Sequence, residues 1–383
     1  MSHRTIPLAT LALSGFVTSF GAHVVATNLP TYAETVGAGA FAIGLLIAVY
    51  DFAELFAKPA AGILADRRGM KPVLLIGLVV FIVGSLLFLI VNPKLLLLVR
   101  FVQGLGAAAL STVSISLVAR YFETDRGRAF GVYNAIKGSG YVIAPAAGGF
   151  LATRYGFTTI FIVSASIGLV ALIVSVFLPN DPGGRLEDDE EPSLRASLRI
   201  FRDPRLMPIY AVIVINMFLV GILFGFLPVY VHGLGYSATR SGTVVSIATA
   251  AYLLIQPVAG ALADRYAMRT TVLIGLLVAA LCIMAITFAS GWVLIGMVIA
   301  AGMGIGTVWT NSDALVSTSA PPSQLGASIG AAQSFKEFGD MVGPVLVGGL
   351  TQFFGVRVGF VTCGAVAVVL LVILARSPTF RAR

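Results

Sequence analysis

Residues 51–71 read DFAELFAKPAAGILADRRGMK, an apolar run that holds three ionisable residues and ends in a compact charged turn. Asp51, Glu54 and Lys58 follow the spacing i, i+3, i+7, so a helix places all three on one face. A second apolar run begins at Pro72, directly after the charged turn. Because charges inside a membrane helix are costly and usually functional, the stretch predicts a membrane-spanning helix with one functional face.

The same stretch occurs a second time. Segment 58–77, KPAAGILADRRGMKPVLLIG, returns at 256–275 as QPVAGALADRYAMRTTVLIG, so the offset between the copies is 198 residues. With one residue of drift the repeat continues into a later apolar run, where the matching pairs are Lys137/Lys336, Gly140/Gly339, Pro145/Pro344 and Gly149/Gly348. A match of this length at half the length of the chain indicates two copies of one structural unit.

The composition places the chain in a lipid bilayer. Of its 383 residues, 58% are hydrophobic and 11% are charged, whereas soluble proteins carry roughly 25% charged residues. The formal net charge of +8 does not indicate a nucleic-acid partner, because the basic residues cluster in alternate short loops, as the positive-inside rule describes. Both cysteines fall in apolar runs, so no disulfide framework is expected.

Twelve apolar runs are long enough to cross a bilayer, which takes about 20 helical residues. An even number of spans puts both termini on one side, and the basic residues place that side in the cytoplasm, with only Lys94, Arg154, Arg240 and Arg357 facing out. We predict a multi-pass protein of the inner or plasma membrane of a prokaryotic cell, with spans at 8–30, 40–61, 72–91, 95–118, 129–152, 158–179, 206–231, 239–260, 271–289, 292–318, 327–351 and 358–376.

The repeat divides the chain into two six-helix bundles. We predict bundles at 1–180 and 206–383, joined by a cytoplasmic linker at 181–205 with an acidic first part. Residues 194–201 place leucine and phenylalanine on one helical face among arginines, which predicts a short amphipathic helix on the inner leaflet. Two copies related by a pseudo-two-fold axis are the arrangement of parallel-repeat transporters. The predicted fold class is therefore an all-α integral membrane protein of twelve helices.

Several motifs resemble those of the major facilitator superfamily. GILADRRGMK at 62–71 resembles the family signature between helices two and three, and GALADRYAMR at 260–269 is its degenerate copy. LLLVRFVQGLGAA, around Arg100, resembles the fourth-helix signature with its buried arginine. GYVIAPAAGG at 140–149 resembles the fifth-helix signature of antiporters, with Ala144 in place of the central glycine. The subgroup that the chain resembles most is the twelve-helix drug:proton antiporters.

The resemblance implies roles for three sets of residues. A gating role falls on Gly62, Asp66, Arg67, Gly69 and Lys71, with Asp264 and Arg265 in the second copy. The antiporter motif falls on Gly140, Pro145 and Gly149. Helices one, four, seven and ten line the cavity in this family, which nominates His23, Asn28, Arg100, Gln103, Asn216, Trp309, Asn311 and Asp313, together with Lys137 on helix five.

The resemblance places Asp66 at the cytoplasmic end of helix two, near the start of helix eleven. A carboxylate that faces a helix N-terminus gains roughly 0.3–1 kcal/mol, so this contact would hold the two halves together on the inner side. The alternative is a charged turn that only sets the topology.

A charge network between the halves is a second hypothesis. Asp51 and Lys336 lie at similar depths on helices two and eleven, which permits a pair across the halves, and the remaining members of the network are Lys58, Glu337 and Asp340. The alternative is a set of internal i,i+4 pairs, Glu54–Lys58 and Lys336–Asp340, which only neutralise themselves.

Two further cations have more than one interpretation. An unpaired Lys137 either loses its proton or binds an anionic group of the substrate, and the alternative is a carboxylate partner from another helix. Arg100 serves as a fixed positive charge beside the pathway, as part of proton coupling, or in a packing role bonded to carbonyl groups.

The motifs indicate a transporter and not an enzyme. The chain has three histidines and no nucleophile elbow, and it lacks the phosphate-cradling loop Gly-x-x-x-x-Gly-Lys-Ser/Thr, so ATP hydrolysis is not expected to drive transport. We expect no cofactor and no metal. The predicted protein is a monomeric secondary active transporter that works by alternating access, with a small-molecule substrate, protons and the lipid bilayer as partners.

Two substrate classes remain open. Acids at 51 and 54 favour proton-coupled export of amphipathic or drug-like compounds, whereas lysines at 58, 137 and 336 favour a small polar or anionic metabolite. Two carboxylates one turn apart repel each other, so one of them is expected to hold a proton more tightly. Asp51 is the first choice of proton carrier because it is deeper, and Glu54 is the second because Lys58 can keep it ionised.

Overall fold

The computed structural model describes residues 2–90, 92–122, 126–179, 203–320, 325–377 and 380. All regular secondary structure in these ranges is helical. The side chains of Asp66 and Asp264 lie outside the described residues, and so does the predicted amphipathic segment of the linker.

Twelve long helices in the described ranges occupy the positions of the twelve predicted spans, which confirms the predicted fold class. Two are interrupted by a π-helical turn, and these are α1 (Ser2–Phe16 and Ala22–Thr35, turn Val17–Gly21) and α7 (Met207–Val220 and Leu227–Gly233, turn Gly221–Phe226). The others are α2 (Ala40–Arg68), α3 (Met70–Leu87), α4 (Leu96–Tyr121), α5 (Arg126–Tyr155), α6 (Thr158–Val176), α8 (Ala238–Tyr266), α9 (Met268–Ile286), α10 (Gly291–Ser319), α11 (Leu325–Phe354) and α12 (Val356–Ala375).

Ten of these helices are long and apolar enough to cross a membrane on length and composition alone. The other two are α5 and α11, which carry the repeat-related lysines Lys137 and Lys336. Since polar residues inside a membrane bundle usually face its interior, these two lysines are expected to face the interior of their bundles.

The repeat is also visible in the backbone. α2 and α8 begin at residues 40 and 238 and end at 68 and 266, so both ends keep the offset of the sequence repeat. The turns between helices repeat as well, with positive φ at the related pairs Gly37/Gly235, Gly69/Ala267 and Gly156/Gly355. Only one of these six positions holds a residue with a side chain, Ala267, which occupies the position of Gly69 in the degenerate copy of the motif.

Ala267 is strained by this conformation, with φ 75° and ψ 124°, whereas Gly69 adopts φ 92° and ψ 148° without a steric conflict. A side chain in such a region costs the folded state of order 1–3 kcal/mol. Replacing it with glycine removes this strain, but the greater entropy of the unfolded chain offsets about 0.4–1 kcal/mol of the gain. We therefore expect Ala267→Gly to stabilise the protein by about 1 kcal/mol, and Gly69→Ala to destabilise it. Thermal unfolding in detergent measures the stability of both variants, with labelling of the buried Cys363 thiol by a dye as the readout. A lower melting temperature for Ala267→Gly would contradict this interpretation.

The chain forms two compact units that exchange short segments. The first contains α1, α2 from Val49 onward, α3 to α6 and the first turns of α8, up to Ser246. The second contains the first turns of α2, Gly39–Ala48, with α7, the rest of α8 and α9 to α12. The core of the first unit packs around fully buried side chains that include Phe81 and Tyr133.

Each of these short segments makes a direct backbone contact, through a glycine, with a helix of the unit that it joins. In the second unit a Cβ on Gly44 of α2 would collide with the carbonyl oxygen of Pro344 of α11. In the first unit a Cβ on Gly242 of α8 would collide with the carbonyl oxygen of Pro145 of α5. The two contacts are repeat-related, because each residue of one has its counterpart in the other. Only glycine permits helices to approach so closely at these positions.

Candidate functional site

Three ionisable residues of α2 lie on one face in the first unit, as their spacing predicts. The Nζ of Lys58 lies 2.5 Å from Oε2 of Glu54, an i,i+4 ion pair that is half-buried. Asp51 lies one turn earlier and is 9% exposed. The internal Glu54–Lys58 pair is therefore present, and a pair between Asp51 and Lys336 stays a prediction.

Arg100 of α4 is held in the interior of the first unit by a hydrogen-bonded chain. It is 2% exposed, its guanidinium lies 4.1 Å from the centre of the Tyr50 ring, and Nη1 donates to Oε1 of Gln103 at 2.5 Å. Nε2 of Gln103 in turn donates to the Ser85 hydroxyl of α3 at 3.0 Å. This chain fixes the charge in place, and the Nε–H of Arg100 has no hydrogen-bond partner among the described residues.

His23 brings α1 and α5 into the same electrostatic environment. Its ring lies 4.4 Å from that of Tyr141 on α5, edge to face, and its Nδ1 donates to the Ser19 carbonyl at 2.8 Å. The charges of Arg100, Glu54 and Lys137 all act on His23, and those of Asp51 and Glu54 act on Arg100. We call this set the first-unit charge cluster; its members are His23, Asp51, Glu54, Arg100 and Lys137.

A second polar group lies in the second unit. The Nζ of Lys336 on α11 lies 2.7 Å from Oδ2 of Asp313 on α10 and 4.3 Å from the centre of the Trp309 ring. Trp309 contacts Tyr252 of α8 edge to face at 5.7 Å, and Tyr252 contacts Phe224 of α7 at 6.3 Å. We call Trp309, Asp313 and Lys336 the second-unit triad.

The pair between Lys336 and Asp313 was not predicted. Trp309 and Asp313 were predicted to be cavity residues, and the partners predicted for Lys336 were acids of α2 or α11. A signal was present, because Trp309 and Asp313 are four residues apart and share a face of α10. The packing of α10 against α11 brings the lysine to that face, and this packing cannot be predicted from the spacing of residues within one helix.

Three predicted cavity amides make hydrogen bonds to backbone carbonyls. Asn28 donates to Val24 at 2.9 Å within α1. Asn311 donates across helices, from α10 to the Ala259 carbonyl of α8 at 3.3 Å. Asn216 of α7 donates to the Ile305 carbonyl of α10 at 3.4 Å. These bonds give the amides a packing role, and the proposed contact of any of them with substrate stays a prediction.

The charged turn contributes one structural contact that its sequence did not predict. The Nζ of Lys71 donates to the Leu178 carbonyl at 2.6 Å, just beyond the end of α6, where a cation interacts favourably with the unpaired carbonyls. A Cβ at Gly62 would meet nothing closer than 3.9 Å, so this arrangement does not require a glycine there. The gating hypothesis for Asp66 concerns a side chain outside the described residues.

The antiporter-like motif places two glycines and a proline at close helix contacts. Gly140 of α5 lies against Ser19 and Phe20 in the π-helical turn of α1. Pro145 supplies the carbonyl oxygen that meets Gly242, and Gly149 lies against the Ala238 carbonyl at the start of α8. The motif therefore fixes α5 against both α1 and α8.

Comparison with known proteins agrees with the motifs. The sequence model of the Major Facilitator Superfamily matches residues 11–250 and 234–382. The multidrug resistance protein MdtG of Citrobacter koseri is 27% identical over 385 residues, which cover 96% of this chain and 95% of that protein. MdtG of Klebsiella pneumoniae is 25% identical and covers 92% and 89%.

Solved structures of similar fold are also transporters. A structure of the nucleoside transporter NupG superposes with a TM-score of 0.85 at 15% identity, over 96% of this chain and 98% of that one. An inward-facing, unoccupied bacterial homologue of the human lysosomal transporter Spinster gives 0.82 at 16% identity, over 98% and 97%. At this identity the likeness establishes the fold alone.

Proposed function

The chain belongs to the major facilitator superfamily, and we propose that this transporter exports amphipathic, cationic small molecules in exchange for protons. The observation that carries the substrate class is the neutralisation of two predicted lysine sites. Lys58 is paired with Glu54 and Lys336 with Asp313. These lysines therefore present less positive charge to a substrate than the sequence alone indicated, which favours a cationic over an anionic compound.

The aromatic side chains support the same class. Trp309, Tyr252 and Phe224 form a continuous edge-to-face cluster beside Asp313. Aromatic faces and a carboxylate are the groups that bind organic cations. The multidrug relatives at 25–27% identity are consistent with a broad range of amphipathic substrates.

We assign proton coupling to the carboxylates of α2. Asp51 is buried, and its charge acts on Arg100, which is itself fixed by Gln103. A buried carboxylate gains or loses a proton when its distance from a cation changes, so a motion of α2 relative to α4 would couple protonation to conformation. Asp51 is the first choice because it is buried and lies deeper in the helix, and Glu54 is the second because Lys58 can keep it ionised.

Alternating access follows from the repeat. We propose that the predicted halves, 1–180 and 206–383, rock about the substrate, and that the glycine contacts at Gly44 and Gly242 hold one end of the pathway closed. Related contacts in both copies of the repeat would form and break together.

The bacterial relatives support an inner-membrane location. The basic residues in the loops support the proposal that both termini lie in the cytoplasm.

A second candidate, transport of a small polar or anionic metabolite, is favoured by Arg100. Its buried Nε–H has no hydrogen-bond partner in the described part of the chain, and a substrate oxygen would satisfy it. In this case the first-unit charge cluster would bind the substrate itself.

Thermal unfolding of the purified protein with a panel of ligands separates the two candidates. A compound that binds only the folded state stabilises it by about 2.7 kcal/mol at a hundred times its dissociation constant. We expect lipophilic cations to raise the melting temperature and small anionic or uncharged polar metabolites to leave it unchanged. Stabilisation by the metabolites and not by the cations would overturn the proposed substrate class.

A further inference from the structure

We propose that Trp309 and Asp313 form a binding site for an organic cation, and that Lys336 occupies this site as a tethered substitute when no ligand is bound. This inference rests on the proposed function and names the residues that would recognise the substrate. It makes Lys336 a competitor of the substrate, in place of the structural charge that the sequence suggested.

The ammonium group of Lys336 lies where an organic cation would bind. The Nζ of Lys336 makes the two contacts that an organic cation would make, a charged hydrogen bond to Asp313 at 2.7 Å and a cation–π contact with Trp309 at 4.3 Å. A quaternary ammonium or phosphonium group would keep the contact with the ring and the attraction to the carboxylate. The site is therefore complete for a cation, and its present occupant belongs to the protein.

The exposure of the pair is unequal. The Lys336 side chain is 4% exposed, whereas that of Asp313 is 42% exposed. A pair that served only to bury its own charges would be expected to shield both partners, because an unshielded carboxylate in a membrane helix is costly. The open side of Asp313 allows a ligand to reach the carboxylate while the lysine still holds it.

Lys336 has an alternative partner if it leaves. Asp340 lies at i+4 on the same helix, a spacing at which a lysine and a carboxylate meet on one face. Lysine carries its charge on a flexible four-carbon stem, so the ammonium group can change partners without movement of α11. Displacement by a ligand would thus exchange an interhelical pair for a pair within α11.

The ligand class follows from this geometry. The aromatic cluster of Trp309 and Tyr252 favours a cation with apolar or aromatic substituents, and the carboxylate rejects anions. A permanent charge suits the site better than an amine, because the contact with the ring does not depend on a hydrogen-bond donor.

Binding of radiolabelled tetraphenylphosphonium to the purified full-length protein tests the proposal. Lys336→Met keeps the length of the side chain and removes its charge, so we expect binding at least fivefold tighter than in the wild type, and Asp313→Asn should bind at least tenfold more weakly. Lys336→Arg, which retains a tethered cation, is the matched control and should not gain affinity. Unchanged or weaker binding by Lys336→Met, in protein that elutes as a single folded species, would overturn the proposal.

A second measurement keeps Lys336 in place, in case its replacement prevents folding. The chain has two tryptophans, and Trp292 is 89% exposed at the start of α10. In a Trp292→Phe background, tetraphenylphosphonium should therefore change the emission of Trp309, and Asp313→Asn should remove that response. An emission that does not respond to saturating ligand would overturn the proposal.

The binding measurements test the cation site separately from the proposed antiport, because binding needs no proton gradient. Tight binding that changes in the variants as expected, without proton-driven transport, would contradict the antiport mechanism and support the cation site. Proton-driven transport of the cation, with binding that Asp313→Asn does not change, would contradict the site and leave the antiport mechanism intact.

Discussion

Replacing Asp51 with Asn is expected to abolish uphill, proton-driven transport while substrate binding and downhill exchange remain measurable. An imposed gradient of one pH unit supplies about 1.4 kcal/mol per proton, enough for roughly tenfold accumulation per proton exchanged. The amide keeps the size and polarity of the carboxylate but cannot exchange a proton, so the gradient would have no route to the substrate. Accumulation of tetraphenylphosphonium in proteoliposomes measures the effect.

Glu54→Gln is the matched comparison on the same face of α2. Because Glu54 is already paired with Lys58, we expect this variant to retain accumulation in part. Full accumulation by Asp51→Asn would remove Asp51 from the mechanism. Full accumulation by both variants would end the proposal that the α2 carboxylates couple transport to protons.

The second large effect is expected from Gly44→Val and its repeat-related counterpart Gly242→Val. Each valine would collide with a proline carbonyl oxygen of the facing helix, and overpacking costs about 1–3 kcal/mol. A penalty of this size shifts a two-state equilibrium roughly tenfold or more, so the closed arrangement would be depopulated and turnover would fall by a similar factor.

Distances between spin labels provide the measurement. With labels in place of Phe41 on α2 and Phe353 on α11, we expect Gly44→Val to lengthen the distance. Gly296→Val on α10 is the control, since a Cβ there meets nothing within 4 Å, and it should change neither distance nor turnover. An unchanged distance with normal turnover in Gly44→Val would contradict the role given to this contact.

The helices and their repeat could be predicted because their signals are local or periodic. Long apolar runs specify spans, and the recurrence of 58–77 at 256–275 specifies two copies. The backbone follows the repeat to its turns, where Ala267 adopts a positive φ at the position of Gly69. Ion pairs at i,i+4, such as Glu54–Lys58, are equally local and were accessible from spacing.

Contacts between helices distant in sequence were not accessible in this way. The Lys336–Asp313 pair depends on how α10 packs against α11, and the position of Arg100 over Tyr50 depends on the packing of α4 against α2. The residues that face the glycines are also set by packing. The glycine content of the spans therefore predicted close helix packing, but not which helices contact each other. The roles of the carboxylates in transport remain predictions, since they concern a cycle of conformations.

The most direct test of proton antiport is the proton movement that accompanies downhill transport. Proteoliposomes with a pH-sensitive dye in the lumen, equal starting pH on both sides and a potassium-clamped membrane potential receive tetraphenylphosphonium outside. Antiport predicts that the lumen becomes alkaline as the cation enters, that a protonophore abolishes the signal, and that Asp51→Asn gives no change in pH. Entry of the cation into wild-type vesicles faster than into protein-free vesicles, with no change in luminal pH or with acidification, would contradict the account.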